Sequence, residues 1–142
     1  MRRLLYIVCM GMVMALVAAC DTETYSNGDM DGFWHIKSIE NLAEDGSSEG
    51  VNDVSSEKRF WSIQGKLIEV NNIFFLHERK GDSLILHQPY LHNWHVDSLL
   101  TDVSSLSAWG ISDTLERYAI LELNSSDMTL RNKKVVIQME KY

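Results

Sequence analysis

The residues able to do chemistry are few, and their spacing limits what they can do. Three of the five histidines fall in "HQPYLHNWH", as His87, His92 and His95. Imidazoles at that density suit zinc or copper, but a site needs three or four ligands in fixed geometry with a supporting shell. Pro89 breaks any helix across the stretch and no cysteine lies nearby, although Asp97 and Asp102 are close in sequence. The expectation is solvated loop histidines, with no metal and no cofactor. The serines cluster in "GSSEG" and "DVSSLS", without a G-x-S-x-G elbow or the strand-to-helix context of a phosphate loop. Glu69 and Glu122 would serve as general acid and base only by pointing inward. Outward and solvated is the expectation, and the chain is read as no enzyme. Aromatics are the better clue. Trp61, Phe75, Tyr90, Trp94 and Trp109 can wall a site for an apolar or sugar-like ligand, or simply fill a core.

One thiol has a more specific setting. Arg2 and Arg3 precede an uncharged run from Leu4 to Ala19, the basic and apolar regions of a secretory signal. That run is shorter than the about 20 residues that span a bilayer core. Val17-Ala18-Ala19-Cys20 resembles the lipobox of bacterial lipoproteins. The resemblance implies thioether attachment of diacylglycerol to Cys20, cleavage before it and acylation of the new amino terminus. Residues 1–19 are then a lipoprotein signal peptide, 20–31 a lipid-anchored flexible tether and 32–142 the folded domain. The expected place is the cell envelope of a Gram-negative bacterium, with the lipid on Cys20 holding the protein to a membrane. Asp21 and Glu23 leave inner and outer membrane open, the outer being favoured. Cys9, the only other cysteine, lies in the leader, so the mature chain has no disulfide and depends on its core.

Removing the leader leaves 123 residues, the size of one domain. Eleven Lys and Arg then stand against twenty Asp and Glu, a formal charge of −9. An acidic domain without a basic stripe is a poor partner for nucleic acid, whose phosphates are held by Lys and Arg.

The elements that position these residues read as strands. "GFWHIKSIE" (32–40) mixes apolar and polar residues as a half-buried strand does, and residues 41–56, rich in Gly, Ser and acids, read as a long loop. Segments 57–64, 66–71, 73–79 and 82–88 follow as a meander, punctuated by Gly65, Asn71-Asn72 and Lys80-Gly81, which supply the positive φ of tight hairpins. Ile68 and Val70 share one face opposite Leu67 and Glu69, and Leu84 and Leu86 oppose Ser83 and Ile85. Segments 115–124, 127–132 and 134–142 bring the count to eight.

Eight antiparallel strands in sequence hide their edges best by closing. The expected fold is all-β, an eight-stranded antiparallel up-and-down barrel with a short helix in the long fifth connection. Gly32-Phe33-Trp34 resembles the G-x-W at the first strand of lipocalins, and the order from lipobox to the terminal "VVIQMEKY" resembles small lipocalin-like lipoproteins. The resemblance implies that Trp34 packs across the closed end of the barrel. The chain departs from secreted lipocalins in lacking a T-D-Y motif, a helix after the last strand and an Arg there to stack on Trp34; Arg131 or Lys141 is left for that place.

In such a barrel the odd-numbered connections share one rim, here 41–56 and 89–114, and the tether enters at the opposite end. Val96, Leu99, Leu100, Val103, Leu106 and Trp109 fall at helical spacing, as one helix capped by Asp97 or two short turns with Asp102 as second cap, stopped by Gly110. The apolar face covers either the barrel mouth or the outer wall. Two functions follow: binding of a small, mainly apolar molecule at the looped end, or docking of another envelope protein. Cys20→Ser is expected to abolish lipid attachment, since only a thiol forms the thioether. Metabolic labelling with a tagged fatty acid checks it, and equal label on the variant overturns the lipobox reading.

Overall fold

The computed structural model describes residues 26–142, so Cys20 and the leader lie outside the described residues. Ten strands form one antiparallel sheet: β1 (Gly32–Leu42), β2 (Ser48–Asp53), β3 (Phe60–Gln64), β4 (Leu67–Val70), β5 (Ile73–Lys80), β6 (Ser83–Leu91), β7 (Ser98–Leu99), β8 (Glu116–Leu123), β9 (Asp127–Arg131) and β10 (Val135–Lys141). Eight run in the order β10-β9-β8-β6-β5-β4-β3-β1, and β1 pairs back to β10 from Trp34↔Lys141 to Asn41↔Val135. The sheet is a closed eight-stranded barrel.

Alternation sets what lies inside. Ile68 and Val70, Leu84 and Leu86, and Tyr118 and Ile120 point into the core while the residues between them are less buried. Asn71 and Asn72 both take positive φ (49° and 66°), as a two-residue turn matched to strand twist requires. The β6 strand continues through Pro89, which the sequence places beyond its end. Gln88 at φ 51° and a register shift opposite Phe74 mark a bulge, where a missing N–H is tolerated.

The long first loop is corrected. Only 43–47 form a tip; β1 extends to Leu42, and β2 pairs with it from Ser38↔Asp53 to Leu42↔Ser48. β2 and β3 share one edge of β1 in succession. Every β2 residue is exposed, so "SEGVND" carries no apolar alternation and only its backbone ladder makes it a strand.

Both barrel ends are stoppered. At the base a 3₁₀ turn, η1 (Gly28–Met30), buries Met30 completely, and the Trp34 indole donates to the Met30 carbonyl at 2.8 Å. Asn27 donates to the Gly65 carbonyl at 2.7 Å, so the last residues before β1 pack on the barrel. Lys141 Nζ lies 4.9 Å from the Trp34 ring. Gly32 makes room for it: φ is 146°, and a Cβ would come within 3.0 Å of Lys141 Cε.

At the mouth the helical segment is a 3₁₀ helix, η2 (Ser104–Trp109), shorter than 97–109. Val103 and Leu106 are buried, whereas Val96 and Leu99 of the same apolar stripe face solvent. Gly110 ends it at φ 82°, donating to Leu106 and Ser107 carbonyls. A Cβ there would sit 2.3 Å from Ile137 Cδ1, so only glycine lets the stopper seat against β10. Trp34→Ala is expected to cost about 3–5 kcal/mol through lost burial and a cavity, measured by denaturant unfolding. A loss below about 1 kcal/mol would contradict its role as the floor of the core.

Candidate functional site

The five aromatics singled out as a ligand wall are not brought together. Trp61 and Phe75 are fully buried inside the barrel. The Trp61 indole donates to the Trp109 carbonyl at 3.2 Å and meets Tyr118 edge-on at 5.7 Å. Trp109 is half-buried on the stopper, with the Arg59 guanidinium 5.9 Å from its ring. Tyr90 stacks on Phe74 at 5.6 Å on the outer wall, and Trp94 is 95% exposed. Side-chain parity explains the split: Trp61 lies in register with the inward Trp34 and Val70, whereas Trp94 falls in the β6–β7 tip.

The remaining sequence candidates are dispersed as well. His92 Nδ1 lies 2.8 Å from Asp97 Oδ1 and His87 Nε2 3.8 Å from Glu78 Oε1, while His95 is exposed. No group of three His, Cys, Asp or Glu converges among the described residues. Glu69 lies on the outward face of β4, beside Ser62 and Phe74, and Glu122 is exposed. Gly32 and Trp34 belong to the base.

Concavity appears instead at the looped rim. A cleft of about 690 Å³ opens between residues 44–46 of the β1–β2 tip and 131–134 of the β9–β10 turn, with Leu42 and Arg117 completing it. A second of about 270 Å³ continues it past Ser112 and Leu115. A third of about 330 Å³ reaches the stopper at Gly110 and Ile111, beside Leu42 and Val135. Lys134 lines all three.

One buried acid organises this rim. Glu116 is 6% exposed, and its Oε1 accepts from Ser112 N at 2.8 Å, Ser112 Oγ at 2.9 Å and Asp113 N at 2.9 Å. Its Oε2 accepts from Asn132 Nδ2 at 3.1 Å. Asn132 Oδ1 in turn accepts from Lys134 N and Val135 N, both at 2.8 Å, so one carboxylate ties the segment after the stopper to the β9–β10 turn. Next to it the Tyr118 hydroxyl donates to the Gly110 carbonyl at 2.7 Å. Burial, with the Glu116 charge second, pushes that phenol well above its ordinary range, so it remains a donor.

Sequence reasoning singled out the looped rim but missed the residues that line these clefts. The available signal was "RNKK", residues 131–134, a concentration of positive charge in an acidic chain at a turn. Its partners Arg117 and the 44–46 tip are distant in sequence and meet only through the sheet order.

The family model described as a lipocalin-like domain matches residues 14–142. Among solved structures, a lipocalin-like protein from Bacteroides uniformis ATCC 8492 superimposes with a TM-score of 0.53 at 17% identity, covering 81% of this chain and 100% of that one. An uncharacterized protein from Bacteroides eggerthii DSM 20697 gives 0.48 at 18% identity, covering 79% and 98%. At such identity the first likeness speaks to the fold alone. None of the curated proteins matches.

Glu116→Ala is expected to destabilise the protein by about 1–3 kcal/mol, because four donors lose a buried, charged acceptor. Denaturant unfolding measures it, and a change under about 0.5 kcal/mol would remove Glu116 as the organiser of the rim.

Proposed function

The chain belongs to the lipocalin-like domain family, and we propose that it is a lipid-anchored envelope protein that binds a small molecule at its looped rim. The observation that carries this reading is the contrast between a barrel occupied by Trp34, Trp61, Phe75 and Tyr118 and three adjoining clefts at one rim. A lipid on Cys20 supports the same polarity. Residues 27–31 pack at the base, which supports a proposal in which the anchor lies on that side and the clefts face away from the membrane. Binding without catalysis is part of the reading, since lipocalin-like folds typically bind.

A second reading rests on a different surface. Trp94, Val96 and Leu99 are 95%, 69% and 72% exposed at the β6–β7 tip, which favours docking of an envelope protein there. Native mass spectrometry of the protein taken from its own host separates the two. The expected result is a small-molecule adduct that leaves on mild activation. A bare mass, together with a cross-linked protein partner lost on Trp94→Ser, would overturn the ligand reading.

A further inference from the structure

We infer that the rim cleft seats the anionic head group of an amphiphile, an inference that rests on the rim reading above and adds the chemistry of what binds. Arg117, Arg131, Lys133 and Lys134 line the cleft of about 690 Å³. Among the described residues none of them forms an ion pair, and Arg131 donates only from Nη2 to the Gly46 carbonyl at 3.3 Å. Four of the eleven Lys and Arg in residues 20–142 therefore stand at one rim of an acidic protein without an ion pair. Like charges gathered this way repel, and a bound anion relieves the repulsion while accepting charge-assisted hydrogen bonds.

Most of the acids nearby keep their charge but are held in place by hydrogen bonds of their own. Asp45 Oδ1 accepts from Ser47 N at 2.9 Å and Ser47 Oγ at 2.6 Å, which lowers its pKa from the ordinary value. Glu116 has its four donors, and Asp113 Oδ1 accepts from Thr114 N at 2.7 Å. Within the cleft of about 690 Å³ itself, Glu44 and Asp45 are the acids that line it with the four cations, while Glu49 lines one adjoining cleft and Asp113 and Glu116 the other. The rest of the rim supplies an apolar half. Leu42, Ile111 and Val135 line the adjoining cleft, and Leu115, 50% exposed, lines the other. A phosphate or carboxylate bearing a short alkyl body satisfies both halves, whether it is a free amphiphile or a lipid head group.

The test titrates decyl phosphate, decanol and inorganic phosphate into ¹⁵N-labelled protein. Decyl phosphate is expected to shift the Gly46, Asn132 and Lys134 amides, more weakly as ionic strength rises from about 0.01 to about 0.15 M. The variant Lys133→Gln/Lys134→Gln, on an exposed turn, is expected to bind it about tenfold more weakly or worse. Decanol shifting the same amides with equal affinity, unaffected by the substitutions, would overturn the anionic head group and leave the rim reading standing. Inorganic phosphate binding as tightly as decyl phosphate would overturn the apolar half. No shift with any probe would overturn this inference and the rim reading together. Competition by phosphatidylglycerol vesicles identifies a bilayer head group as the source, and its absence a free amphiphile; both uphold the shared chemistry.

Discussion

The ladder from Trp34–Lys141 to Asn41–Val135 turns an open sheet into a ring, and the rest of the molecule answers to that closure. Once closed, the eight strands leave no long free edge, and the described residues, which hold no cysteine, must stabilise the fold by packing. Closing the wall does nothing for the two ends. Chain outside the barrel strands does that work: Met30 under Trp34 at the base, and Val103, Leu106 and Ile111 at the mouth. Each stopper is pinned by a buried hydrogen bond, Trp34 to the Met30 carbonyl and Tyr118 to the Gly110 carbonyl.

The base shows how closely such a stopper is fitted. The Gly65 carbonyl accepts from Asn27 at 2.7 Å and lies 2.8 Å from His77 Nε2. A carbonyl can only accept, so Nε2 carries the ring proton and the buried Nδ1 is left without a partner. Burial holds the His77 pKa below its ordinary value, which keeps the ring neutral at neutral pH despite Asp31 nearby. The segment before β1 is thus joined to the β3–β4 turn and to β5.

What was legible in the sequence followed from side-chain period and turn chemistry. The eight barrel strands, the Asn71-Asn72 turn, the Gly110 stop and the Gly32–Trp34 pair all declare themselves through residue type at fixed spacing. β2 does not, because a strand exposed on both faces has no period to read. The stopper was half legible: its apolar residues were plain, but a 3₁₀ turn at a barrel mouth buries Val103 and Leu106 and leaves Val96 and Leu99 in solvent, which helical spacing cannot foretell. The site was least legible. Trp61 and Phe75 look alike as cavity wall or core filling; the sheet register turns both inward, and their complete burial makes them filling. The rim cations arise from β8, β9 and the turn after β9, and nothing along the chain joins Arg117 to Lys133 until those strands pair.

A filled barrel changes where specificity can reside. Residues inside are fixed by packing, and exchanging them for polar groups would leave those groups without partners in a dry core. The rim is free of that constraint. Lys133 and Lys134 sit on a turn whose geometry comes from Asn132 and Glu116, so the fold does not require their charges to be paired. Arg131 touches only a backbone carbonyl. The structural burden is carried by one saturated carboxylate and one asparagine, and the cations they position are left to solvent. In a domain that is acidic elsewhere, that division lets the barrel stay closed and packed without calling on the cations at its rim.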